Sequence, residues 1–544
     1  MRQKGLFWAL VALSALLLSI PWLVPHTGYL VLVGFVPLLC ADAVADQFGG
    51  RHFWWYHYSA FVLWNAATTF WVCNATVGGG IFAVLVNALQ MSIVWALFRL
   101  SKKRFKGILP YIFLAAAWIA WERVYYSLDI SWPWLVLGNA FARTTSAIQW
   151  YEYTGVLGGS LWIWACNLAV FGIVVSVTDG HWSGWKVHAR AGAVAGLAVL
   201  LVLPPVASSL IYKGYQEQSE GTLDVIAGQP NFDPYEKFTS KTQKEQTAEL
   251  LDLFDDALQD RTPGEPVLLL APETFTSDVC LNQPEDSPTM VSVRAFLAKH
   301  PGAEMLFGAS TYEFFNTHAA PSILARQFGD RWLETHNSAI LADGGSAFGL
   351  YHKSKLVVGT ELTPYPKLFV PLDNFLSRLF KVSGGLIARC IGQDEVSLLD
   401  SGAGVPLGCA ICYESVYGEY CTEYVRKGAK AMTVITNDAW WGDTPGYRQH
   451  MSYSRLRAIE LRRDIARCGN TGISCFIDQR GDVLSETEWW KAATLSGTLN
   501  LNSKETFFVR HGDLAGRICT LLFLVLFLLL AVRLVWPGRQ KRVG

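Results

Sequence analysis

Long stretches nearly free of charge crowd the first 212 residues of the chain and return only at 514–536. Between them, over roughly 213–510, polar and apolar positions mix as they do in a water-soluble domain. A bilayer core takes about 20 apolar residues per helix. By that measure eight spans are predicted, at 6–24, 28–45, 55–74, 79–99, 108–126, 155–177, 191–212 and 514–536. The first is too long and too rich in Trp and Pro at its end for a cleaved signal peptide, lacks a small-residue cleavage site and runs straight into the second, so it is expected to be retained.

Lys and Arg in the short loops set the expected orientation. Arg2 and Lys4, the run "RLSKKRFKG" at 99–107, Lys186 with Arg190, and the tail "GRQKR" all fall on one side if every span crosses, while the opposite loops carry only Arg143. Both termini are therefore expected in the cytoplasm, with 213–510 facing outward, into the periplasm of a double-membraned bacterium. The predicted organisation is a seven-span membrane domain (1–212), an outward water-soluble domain (213–510), and a last transmembrane helix with a cytoplasmic basic tail (511–544). The composition agrees with partial burial in lipid: of 544 residues 51% are hydrophobic and 17% charged, with 22 tryptophans. Net charge is zero and no basic run is interleaved with aromatics, which excludes a nucleic-acid partner.

Seven of the 11 cysteines lie in the outward domain, so at least one thiol there is unpaired within a monomer. Cys409 and Cys412, in "VPLGCAICYES", allow three readings. A redox pair would stand early in a compact domain, between a first strand and its helix. A zinc site needs a second ligand pair; Cys421 is eight residues on, and no His lies near it in sequence. In the third reading 405–411 is a buried strand in which Cys409 packs as a small hydrophobe. Cys412 then stands at the turn into a helix starting at Tyr413–Glu414, whose free N–H groups favour a thiolate or hold an oxyanion. That reading makes Cys412 a nucleophile.

Two other apolar runs end in charged residues. "PVLLLAPETFTSD" (266–278) delivers Glu273, and "SAFGLYHKSKLVVGTE" (346–361) delivers Lys353 and Glu361. Open α/β folds collect functional groups at the C-terminal ends of strands. In this chain order Glu273, Lys353 and Cys412 resemble the Glu-Lys-Cys triad of the nitrilase (carbon–nitrogen hydrolase) superfamily. "ITNDAWWGD" (435–443), with Asn437 and Trp440, and "RLRAIELRRDIARCGNTGIS" (455–474) extend the resemblance. Joined to the membrane segments and to the loop "WERVYYSLDISWPWLVLGNAFA" (121–142), they make the whole chain similar to the bacterial apolipoprotein N-acyltransferases. Two positions depart from that pattern. "VVGTE" stands where Pro-Phe-Gly-Glu is usual, and Phe238 stands about where some members carry a functional Trp.

The resemblance implies an α/β nitrilase-like αββα sandwich attached to a multi-pass α-helical membrane domain. It implies transfer of an acyl chain from a phospholipid, typically phosphatidylethanolamine, to the α-amino group of an S-diacylglyceryl-cysteine on a lipoprotein, in a bacterial inner membrane. The path is ping-pong through a thioester: Glu273 is the base, Cys412 the nucleophile, and Lys353 with the Tyr413–Glu414 region the oxyanion stabiliser. Glu361 and Glu414 take supporting or amine-binding roles. Trp440, Trp441 and Tyr447 form an interfacial lid or core aromatics. No metal, no cofactor and a monomer are expected. The competing functions are a membrane-tethered carbon–nitrogen hydrolase, an inactive lipoprotein-binding scaffold, and a transporter, the last without the broken helices it would need.

Overall fold

The computed structural model describes residues 2–47, 53–235, 240–380 and 387–536. Phe238 and the basic tail "GRQKR" lie outside the described residues. The chain forms two compact units. One comprises the residues up to Leu128, Trp132–Tyr215 and the chain from His511; the other comprises Asp129–Ser131 and Gln216–Arg510.

The first unit is helical. Six helical segments among the described residues are long and apolar enough to cross a membrane: Lys4–Leu23, Gly28–Asp46, Val77–Lys102, Tyr151–Thr178, Val187–Gly214 and Leu514–Val535. The spans expected at 55–74 and 108–126 are helices of only 17 residues, Phe53–Thr69 and Leu109–Tyr125. At 1.5 Å per residue each covers about 25 Å, short of a full hydrocarbon core of about 30 Å. The expected 28–45 span opens as a 3₁₀ segment, Gly28–Val33, before the helix Val36–Gln47. The helix Tyr151–Thr178 is broken at Gly155, whose φ is 60°. The basic loop after Val77–Lys102 is partly neutralised, since Arg99 and Lys102 pair with Asp42 and Asp46.

The second unit is an αββα sandwich. Strands β1 (Thr222–Gln229), β2 (Val267–Leu270), β3 (Ala303–Phe315), β4 (Arg326–Phe328), β5 (Arg331–Ala342) and β6 (Phe348–His352) come first in the chain. Then follow β7 (Leu399–Asp400), β8 (Pro406–Ile411), β9 (Ala431–Thr436), β10 (Ile465–Gly469), β11 (Cys475–Ile477) and β12 (Val483–Glu486), and β13 (Ala493–Asn500) returns to the first sheet. The first sheet runs β13-β1-β2-β3-β5-β4 with β6 paired to β5, and the second β12-β11-β10-β9-β8-β7. Strands β1, β2 and β3 are parallel, as are β8, β9 and β10. Such strands are covered on both faces, which is why β2 reads Val-Leu-Leu-Leu without alternation and is buried throughout.

Helices Gln243–Leu258 and Pro288–Leu297 cover the first sheet, burying Leu250, Phe254, Met290 and Val293 against Leu269, Met305 and Phe307. Each has a sequence-encoded start. Thr242 and Glu245 form a capping box, and Ser287 accepts from the Met290 N–H ahead of Pro288 at the first helical position. The helix Pro445–Leu461 packs on the second sheet, and the chain then returns as β10. All eleven cysteines carry free thiols.

Candidate active site

Two strand ends of the first sheet meet. After β2, Ala271 and Pro272 carry the chain to Glu273, which is 6% exposed. Gly308 of β3 lies under this turn, its N–H donating to the Pro272 carbonyl at 3.1 Å. A Cβ at Gly308 would fall 2.5 Å from the Glu273 Cα, so only glycine lets the carboxylate turn sit there. Lys353 follows β6, its N–H donating to the Asn337 carbonyl at 2.8 Å. The Lys353 ammonium donates to Glu273 Oε1 at 2.8 Å and lies 3.0 Å from Glu361 Oε2. Asn337 Nδ2 ties the two carboxylates together, donating to Glu273 Oε1 at 2.8 Å and to Glu361 Oε1 at 2.6 Å. Burial opposes the Lys353 charge, but Glu273 and Glu361 overcome it and hold the ammonium well above its ordinary range.

Cys412 follows β8 of the second sheet. Its φ is +52°, a left-handed conformation that costs a non-glycine residue about 1–2 kcal/mol. The chain then makes a 3₁₀ turn, Cys412–Val416, and only afterwards the helix Gly418–Arg426. The α-helix expected to start at Tyr413–Glu414 thus starts about one turn later, at Gly418. Burial and the charge of Glu273 push the Cys412 thiol well above its usual range, while Lys353 opposes them. Burial and the neighbouring carboxylate thus favour the neutral thiol at Cys412, with the Lys353 cation close by. Cys409, in mid-strand, is wholly buried, as a packing residue is.

Glu414 is fully buried. Its Oε1 accepts from the Tyr351 hydroxyl (2.7 Å) and the Ser354 and Lys355 N–H groups (2.7 and 3.1 Å), and its Oε2 from the Ile411 N–H (2.8 Å). The carboxylate therefore ties the nucleophile turn to the segment after Lys353; burial raises its pKa while these hydrogen bonds lower it. The Tyr413 hydroxyl donates to the Ser131 carbonyl at 3.0 Å, so its proton is already committed. Asn437, at the end of β9, accepts from Asn470 Nδ2 at 3.2 Å. Of the three aromatics expected as a lid or core, Tyr447 is buried and stacks on Trp489 at 3.9 Å, Trp441 is half-buried, and Trp440 is exposed and packs edge-on against Tyr235 at 5.3 Å.

The sequence reading missed a second group on the other side of Cys412. His450 Nε2 lies 3.1 Å from the Cys412 carbonyl and its Nδ1 2.8 Å from Asp438, which also holds the buried Arg467. His450 and Arg457 are seven residues apart and so share one face of the helix Pro445–Leu461. Polar residues repeated at that interval in a buried helix were the available signal. Asn337, in the middle of β5, gave none, because it sits among the polar residues Thr335, His336 and Ser338.

Two family models match the chain: the apolipoprotein N-acyltransferase N-terminal domain over residues 14–169, and carbon–nitrogen hydrolase over residues 182–506. An apolipoprotein N-acyltransferase of Chlorobaculum tepidum is 30% identical over 529 residues, 96% of each chain. One from Geobacter metallireducens is 27% identical over 522 residues, covering 94% of this chain and 93% of its own. Among solved structures, Saccharomyces cerevisiae Nit3, a member of branch 10 of the nitrilase superfamily, matches 60% of this chain and all of its own at 15% identity and a TM-score of 0.37. With a carbon–nitrogen hydrolase unit, a helical unit of the matching type and relatives aligned from end to end, this chain belongs to the apolipoprotein N-acyltransferases, a family of acyltransferases.

Proposed function

We propose that the protein moves an acyl chain from a phospholipid, with phosphatidylethanolamine the expected donor, to the N-terminal α-amino group of a diacylated lipoprotein through a thioester on Cys412. The observation that carries this reading is the pairing of Glu273 with Lys353 at 2.8 Å, both acting electrostatically on a neutral thiol in a left-handed turn. Glu273 takes the thiol proton as sulfur attacks the ester carbonyl, so charge passes from a carboxylate to the developing oxyanion. Lys353, fixed by Glu361 and Asn337, supplies the positive charge that stabilises that oxyanion. Collapse breaks the ester C–O bond, and the glycerol oxygen leaves with the proton from Glu273 as a lysophospholipid. In the second half Glu273 accepts one proton from the incoming ammonium and nitrogen attacks the thioester; the C–S bond breaks, sulfur takes the proton from Glu273, and the second nitrogen proton passes to water as the amide forms.

In this reading Glu361 holds the lysine and Glu414 the nucleophile turn, while Trp440 and Tyr235 offer an exposed aromatic pair to lipid. The protein acts as a monomer in a bacterial inner membrane. All eight predicted spans cross, both termini are cytoplasmic, and 213–510 faces the periplasm. The test is to mix the protein in detergent with phosphatidylethanolamine labelled in its acyl chain, without an amine acceptor. Hydroxylamine-labile label is expected on Cys412, lost in Cys412→Ala and kept in Cys409→Ala. Folded protein that takes no label on any cysteine would overturn acyl transfer in favour of a tethered amidase.

A further inference from the structure

The left-handed backbone of Cys412 persists only if its surroundings over-determine it. Three carbonyls of the turn are held from the helix Pro445–Leu461. His450 Nε2 lies 3.1 Å from the Cys412 carbonyl, and Arg457 Nη1 donates to the Ser415 and Val416 carbonyls at 3.1 and 2.9 Å. The Ser415 hydroxyl adds a bond to the Cys412 carbonyl at 2.7 Å. At Gly418 a Cβ would fall 2.7 Å from Glu460 Oε2 and 3.0 Å from Arg457 Nη2, so a glycine lets the helix approach this closely.

The His450 ring is itself locked. Nδ1 lies 2.8 Å from Asp438 Oδ1, which also accepts from the Thr436 hydroxyl at 2.7 Å, while Arg467 binds the other carboxylate oxygen. His450, Asp438 and Arg467 are wholly buried. Cys412 Sγ, a His450 ring nitrogen and an Asp438 oxygen all lie within 4.8 Å of one another. These atoms do not assemble a metal site, because both ring nitrogens and both carboxylate oxygens are already engaged in hydrogen bonds. They brace the Cys412 turn instead, through the Cys412 carbonyl on one ring nitrogen and Asp438 on the other.

We propose that His450, oriented by Asp438, is a positioning residue that fixes the direction of the Cys412 sulfur by holding that residue's own carbonyl. The inference rests on the acyl-transfer reading for its turnover readout, but not for its alkylation readout. A sulfur displaced by about 1 Å costs on the order of 100-fold in rate. His450→Ala is therefore expected to lower kcat, and the rate at which Cys412 takes up the acyl label, about 100-fold, with KM unchanged and the thermal midpoint close to wild type. Iodoacetamide alkylation of Cys412 should slow in parallel.

His450→Gln, whose amide can donate to the same carbonyl, should recover about tenfold of the loss. A general packing role would give neither that rescue nor the separation of kcat from KM. Wild-type rates of acylation and alkylation in His450→Ala, or a glutamine variant no better than alanine, would overturn the proposal. If His450→Ala does not fold, Asp438→Asn decides: about tenfold slower alkylation supports the brace, and an unchanged rate overturns it. A wild-type protein that is alkylated at Cys412 but takes no acyl label would refute the acyl-transfer reading alone.

Discussion

At the scale of single residues, charge and burial around the sulfur determine when it reacts. Burial and Glu273 both raise the Cys412 thiol while Lys353 lowers it, a balance that disfavours the thiolate in the resting protein. Removing the Glu273 charge takes away one of the influences that oppose the lysine, with burial and Asp438 remaining. In Glu273→Gln the pH midpoint of iodoacetamide alkylation should therefore move down even though acyl transfer is lost; an upward or absent movement would contradict the arrangement. Lys353→Met should lose about 3–5 kcal/mol of stability in chemical denaturation, because it leaves the buried Glu273 carboxylate and the partly buried Glu361 carboxylate uncompensated. The positions of Glu273, Lys353 and Cys412 were legible in the sequence because each ends an apolar run. The state of the thiol was not: it depends on Glu273 and Cys412 coming together from strand ends 139 positions apart, and local reading supplied only a helix dipole that the 3₁₀ turn replaces.

At the scale of elements, the site depends on how closely backbones approach. β3 meets the Glu273 turn at Gly308, where an added Cβ would contact Glu273 Cα, Thr274 N and Pro272 O at 2.5, 2.6 and 2.7 Å. All three are backbone atoms and cannot swing aside. Gly308→Ala should cost about 1–3 kcal/mol in denaturation and, by shifting the base, on the order of 100-fold in Cys412 acylation. Comparison with a distant β3 alanine substitution separates the two effects. The buried strands were readable as uninterrupted apolar runs. The helix Pro445–Leu461 was harder, because His450, Gln449, Ser452 and Arg457 are all buried. Its polar residues serve the turn rather than water, so amphipathic patterning, which equates polar with exposed, is blind to its role.

At the scale of the whole molecule, the division into an apolar part and a water-soluble part was legible from hydropathy, and the α/β form of the latter only through the family resemblance, whereas the number of crossings was not legible, since two helices of 17 residues sit at the threshold of length. If both cross, the two termini share a side. A green fluorescent protein fused after the last residue should fluoresce and an alkaline phosphatase fused there should be inactive; the opposite pattern would remove one crossing. The α/β unit is not one stretch of chain, for it includes Asp129–Ser131. Ser131 accepts from the Tyr413 hydroxyl and shares a 2.7 Å hydrogen bond with that of Tyr417, while Asp129 accepts from the Tyr365 N–H at 2.8 Å. A tripeptide encoded some 280 positions upstream thus packs against the turn that follows Cys412. For evolution and for engineering alike, this hydrolase-like body is not a portable cassette: excised at Gln216, it would leave behind part of its own interior, and any graft onto another anchor would have to bring that tripeptide with it.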